Sequence, residues 1–127
     1  MLYTRRELVD LVRELAPDQA ELLIALAWFA SSANPNLVSA DRYGLLQVDY
    51  TQARQAGFTG DASTLLDPRT NITVGVQFLT SLGLLQYCGR ELASQIPAIL
   101  KLESFLKKHA STTVENGEKL VEVGKEG

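Results

Sequence analysis

One stretch, ALAWFASSANPNLVSADRYGLLQV, residues 25–48, joins a near-continuously apolar helix to a polar turn and reads as groove-forming. It offers Ser31, Asp41, Tyr43 and Gln47, with Asp49 immediately behind. General acid catalysis at neutral pH needs a carboxyl group whose pKa is raised by an apolar pocket. Asp41 and Asp49 read instead as isolated aspartates near solvent, in no apolar pocket, and so as poor candidates for that role. Glu21 is predicted on the same helix as Ala30, but nine residues at about 100° each place it on the opposite face. Cys88 and His109 each stand alone in type. The single cysteine excludes an intramolecular disulfide and a multi-cysteine metal site, and it reads as a small buried hydrophobe. His109 follows Lys107 and Lys108 at a predicted helix end, where the macrodipole favours positive charge, so no metal site and no cofactor are expected.

The elements that must position these groups are mostly helical. Thr4 with Glu7 forms a capping box, and Leu8, Leu11, Val12 and Leu15 follow as one apolar stripe of a surface helix. Pro17 marks the joint into a second helix running to about Ala33. Leu22, Leu23, Ile24, Leu26, Trp28 and Phe29 cover most of its circumference, which predicts a buried central helix with both aromatics in the core. Asn34-Pro35 then stops it, since the residue before proline is pushed out of the α region. The segment Leu45-Leu46-Gln47-Val48 reads as a short extended piece, and Asp49 as the N-cap of a helix that Gly57 ends. Asp67-Pro68 starts a helix predicted to reach about Tyr87. Within it Gly75 costs roughly 1 kcal/mol relative to alanine, which points to close approach of a neighbouring helix. A last helix carries Ile99, Leu102, Phe105 and Leu106 inward, with Pro97 as a kink or as the start of its main part. Asn116-Gly117 between two alternating runs predicts a small C-terminal β-hairpin, with a frayed tail as the competing reading.

Length and charge narrow the class. The chain has 127 residues, 46% of them apolar, which suits one domain with one core. We read residues 1–110 as the helical body and 111–127 as a hairpin or tail of the same domain. A net charge of −3 gives no electrostatic case for nucleic acid. The apolar run 22–30 is far short of the roughly 20 residues that span a bilayer, so no membrane span is expected. The N-terminus lacks the apolar region and cleavage site of a signal peptide. Cytoplasmic synthesis, with later association to a virion or envelope, is the expectation.

The order of these pieces carries a resemblance. Ser31, Asn34 and Pro35, then Ser39, then Gly44-Leu45-Leu46-Gln47-Val48, and finally Asp67, Pro68, Asn71, Ile72, Gly75 and Leu79 resemble the lysozyme-like fold of soluble lytic transglycosylases and goose-type lysozymes. The resemblance implies a mainly α, lysozyme-like domain around a buried central helix, with a groove for peptidoglycan or a chitooligosaccharide-type glycan. It implies that Gln47 contacts sugar, because an amide both donates to and accepts from hydroxyl and acetamido groups. Asp49 would match a carboxylate proposed to position water, Tyr43 would cover a pyranose face, and Ser31 would line the groove. Each has a simpler reading: Gln47 bonds the loop backbone, Asp49 caps a helix, and Ser31 bonds back to its own helix. Asp67 and Asn71 read as structural.

Departures from the pattern bear on activity. In place of the family's Glu-Ser-x-Phe-Asn-Pro the chain has Ala30-Ser31-Ser32-Ala33-Asn34-Pro35, so Ala30 stands at the acid's position and no catalytic residue is intact. Tyr87-Cys88-Gly89 is a vestige of the downstream Ala-Tyr-Asn-Ala-Gly motif. Three functions follow as expectations. The first is a non-catalytic domain that binds peptidoglycan. The second is a structural subunit of a phage particle or envelope-crossing machine, with a protein partner or self-association. The third is a transglycosylase or lysozyme inactivated by a Glu→Ala change at position 30, which one change cannot explain when three features depart.

Overall fold

The computed structural model describes residues 3–109, so the C-terminal hairpin expected at 111–127 lies outside the described residues. The fold begins with the capping box. Thr4 Oγ1 accepts from Glu7 N at 3.1 Å and Glu7 Oε1 accepts from Thr4 N at 2.8 Å. Helix α1 (Arg5–Leu15) follows and buries Leu8, Leu11 and Val12. A 3-10 turn, Pro17–Gln19, leads into α2 (Ala20–Ser31), which packs against α1 and most extensively against α6 (Ile96–Lys108). Leu23, Ala25 and Leu26 are completely buried there, as a central helix requires.

Helix α2 is not buried all round. Trp28 is 45% exposed, with the Arg5 guanidinium 4.9 Å from its ring centroid, and Phe29 is half-buried. An arginine over an indole face leaves that face at the surface, so Trp28 does not join the core. The helix also stops at Ser31, two residues earlier than expected. Ser32 and Ala33 turn left-handed, with φ 55° and 61°. Their amides close the last turn on Trp28 O and Ala27 O at 3.0 and 3.2 Å, a Schellman-type ending that precedes any effect of Pro35.

Three two-residue strands follow: β1 (Val38–Ser39), β2 (Arg42–Tyr43) and β3 (Val48–Asp49), antiparallel in the order β1-β2-β3. Val38 pairs with Tyr43, and Tyr43 with Val48. Residues 44–47 are the turn between β2 and β3 and not an extended piece; only Val48 of the expected segment is in a strand. Asp49 Oδ1 accepts from Gln52 N at 2.9 Å and caps α3 (Tyr50–Gln55), and after the 3-10 turn Ala62–Leu66, Asp67 Oδ2 caps α4 (Pro68–Leu82) through Thr70 N at 3.0 Å.

Helix α4 ends at Gly83 (φ 83°, ψ 160°) rather than near Tyr87. That backbone region is all but closed to side-chain-bearing residues. Beyond it α5 (Leu84–Ala93) leaves at a bend of 110° and is itself broken at Gly89 (φ 63°, ψ −164°). Pro97 sits in the first turn of α6, so it starts the helix. Ile99 is buried there, but Phe105 is 40% exposed and lies 4.2 Å from the His109 ring, at the surface instead of in the core. The domain is mainly α with one small sheet. No single described helix is long and apolar enough to cross a membrane.

Candidate functional site

The turn at 44–47 is where helices α2, α4 and α5 meet the sheet, and its backbone bonds explain how. Asn71, fully buried on α4, accepts from Leu46 N through Oδ1 at 2.8 Å and donates through Nδ2 to Tyr43 O and Leu65 O, each at 2.7 Å. Ser31 donates its hydroxyl to Leu45 O at 2.7 Å, with Ala27 O as a second acceptor at 3.1 Å. This ties the end of α2 to the turn. Tyr87 on α5 donates to Leu46 O at 2.8 Å. Gly75 leaves room for that meeting, because a Cβ there would lie 2.7 Å from Leu46 Cδ1 and 3.3 Å from the Tyr87 oxygen. The close approach expected at Gly75 is therefore to the turn and to α5.

Gln47 adopts φ 51° and is 4% exposed. Its Nε2 donates to Leu37 O at 3.0 Å and Gly44 O at 2.9 Å, so the amide nitrogen fastens the loop. Among the described residues Oε1 bonds no protein group. Tyr43 is half-buried, its ring edge-on to Tyr50 with centroids 6.0 Å apart. Asp41 Oδ2 accepts from Thr51 N at 3.0 Å and from the Thr51 hydroxyl. Asp41 and Asp49 thus both serve the start of α3. Glu21 is paired with Arg13 of α1 at 3.3 Å. Ala30, the residue before Ser31, is half-buried and brings only a methyl group to this end of α2.

Two residues matter more here than the sequence suggested. Arg42 Nη1 lies 3.3 Å from Gln47 O and 3.4 Å from Tyr87 O, so one guanidinium links the hairpin to α5. No spacing rule points to it. Tyr87, read from sequence as a vestige, is a buried anchor of the turn. Burial pushes its hydroxyl pKa up from 10.0, with the Arg42 charge opposing the shift. Burial likewise pushes the Cys88 thiol up, again against Arg42, which suits an inert packed side chain.

The shifted tyrosine has a measurable consequence. Above pH 10 the unfolded chain ionises Tyr87 while the folded chain keeps its proton, so the folded state binds more protons and stability falls as pH rises. The slope approaches about 1.4 kcal/mol per pH unit for this one group. Tyr87→Phe is expected to cost about 1–2 kcal/mol at neutral pH, by leaving Leu46 O unpaired, and to flatten that alkaline slope. Urea melts between pH 8 and 11 check both.

The arrangement is a rigid turn held against a helix end that carries no acid. Among the described residues no three His, Cys, Asp or Glu side chains are grouped to hold a metal. No curated protein and no solved structure matches the chain. Residues 16–94, from the entry into α2 to the end of α5, match the transglycosylase SLT domain, and with well over half of its length matched the chain belongs to that lysozyme-like family.

Proposed function

We propose that this domain binds peptidoglycan or a related amino-sugar strand between the end of α2 and the 44–47 turn, without cleaving it. The observation that carries the reading is the half-buried methyl of Ala30 beside the Ser31–Leu45 bond, at the position where the family resemblance calls for an acid. Cleavage needs a proton delivered to the leaving glycosidic oxygen. Asp41 and Asp49 are engaged at α3 and Glu21 at Arg13, so none of the three stands in. Gln47 Oε1 accepts from a sugar hydroxyl or acetamido N–H, Tyr43 covers a ring face, and Ser31 and Asp49 hold the walls in place.

Titration of the labelled protein with chitotetraose should shift the NMR signals of Tyr43, Gln47 and Asp49 saturably. No saturable shift at millimolar sugar sinks the reading in favour of a scaffold that binds protein. Ala30→Glu is expected to raise turnover of purified cell walls less than tenfold. A positioned acid contributes about 10²–10⁴-fold, and the aromatic missing at Ala33 is not restored by that change. A gain of a hundredfold or more would make the chain an enzyme lacking one residue.

A further inference from the structure

Helix α3 and the loop at 57–61 border an open depression of about 470 Å³. Its walls are built. Phe58 N donates to Ala53 O at 2.9 Å and the Tyr50 hydroxyl reaches Gly60 O at 3.4 Å, which fold the loop back on the helix. Two opposite charges stand on its rim. Arg54 is exposed, with its guanidinium 5.9 Å from the Tyr50 ring centroid, and it forms no ion pair among the described residues. Asp61 is exposed too, and its carboxylate does not cap the 3-10 turn that it precedes. Tyr50 and Phe58, both half-buried, supply the aromatic part of the same lining.

A cation and an anion set beside aromatic walls suit a ligand with a carboxylate and an ammonium at the end of a short aliphatic arm. Peptidoglycan carries such a group in the diamino acid of an uncrosslinked peptide stem. The position fits, because Tyr50 lines the depression and also meets Tyr43, where the glycan is placed above. At about 3.3–3.6 Å per extended residue, a stem branching from a sugar at Tyr43 enters within a few residues. The volume is in the range of pockets that take small ligands. We infer that the depression bounded by Tyr50, Arg54, Phe58 and Asp61 is a second subsite, which binds the zwitterionic diamino-acid end of a peptidoglycan peptide stem. The inference rests on the glycan reading for its placement.

The test compares chitotetraose with a disaccharide-tetrapeptide that contains diaminopimelate, by calorimetry, on the wild-type chain, Arg54→Gln and Asp61→Asn. Both side chains are exposed, so neither substitution threatens the fold. Each variant is expected to bind the disaccharide-tetrapeptide about fivefold more weakly, the scale of one exposed charge contact, and to bind chitotetraose unchanged. Acetylating the free amine of the stem should reproduce the loss in the wild type and add nothing in Asp61→Asn. Equal affinity of wild type and both variants for the disaccharide-tetrapeptide overturns the subsite, while unchanged chitotetraose binding leaves the glycan reading standing. Binding of the disaccharide-tetrapeptide that depends on Arg54 and Asp61, with no binding of chitotetraose, would keep the subsite and overturn the glycan reading. Failure of both ligands to bind overturns both.

Discussion

Asn71→Leu is expected to lower the unfolding free energy by about 3–5 kcal/mol, with no change in the slope against urea concentration. The side chain is fully buried and makes three bonds, to Leu46 N, Tyr43 O and Leu65 O. Leucine has the same branched skeleton of side-chain heavy atoms and is somewhat larger, so the cost is not a cavity. It comes from a buried donor, a buried acceptor and a partly buried acceptor that lose a partner, at about 1–3 kcal/mol each before the loop relaxes. For a domain whose total stability is about 5–15 kcal/mol, that is a large part of the whole. A loss under 1 kcal/mol would mean that the turn holds its shape without α4, and the rigid site described above would lose its main support.

The contrast between Asn71 and Thr4 shows what a sequence can disclose. The caps at Thr4, Asp49 and Asp67 bond an amide three residues away, so residue type and spacing suffice to find them. Asn71 bonds a turn twenty-five residues back, and its own neighbours in sequence say nothing of that partner. The family resemblance, not periodicity, brought Asn71 and the Gly-Leu-Leu-Gln turn into one frame. Gly83 gives no signal in the sequence because apolar residues continue on both sides of it, and a repeat of 3.6 cannot register a 110° bend. Hydropathy likewise ranks the Trp28 indole with the core, whereas Arg5 covers it from outside. Ala30 has no local signature at all. Alanine near a helix end is ordinary, and only the surrounding pattern gives it meaning.

Gly44→Ala is expected to be about as damaging as Asn71→Leu, and a comparison with Gly57→Ala separates the causes. Both glycines have positive φ, 79° and 105°, so each substitution carries backbone strain of about 1–2 kcal/mol. At Gly57 a Cβ would meet nothing within 4 Å. At Gly44 it would land on the Asn71 amide and on the Leu65 carbonyl oxygen, a backbone atom that cannot swing aside. Overpacking of that kind adds about 1–3 kcal/mol, so Gly44→Ala should cost about 2–5 kcal/mol against about 1–2 for Gly57→Ala. Removing the amide relieves only part of the clash. In an Asn71→Ala background the cost of Gly44→Ala should therefore shrink by about 1–2 kcal/mol, a coupling that a double-mutant cycle in urea measures directly. Strict additivity would show that Gly44 and Asn71 act separately. Coupling would show that the close approach at Gly44 and the three bonds of Asn71 form one device for fixing residues 44–47. On the proposed reading, a domain that binds a strand against that turn requires such a device even with no acid to position. Chitotetraose binding should accordingly weaken in Gly44→Ala at temperatures where the variant remains folded, and persist in Gly57→Ala.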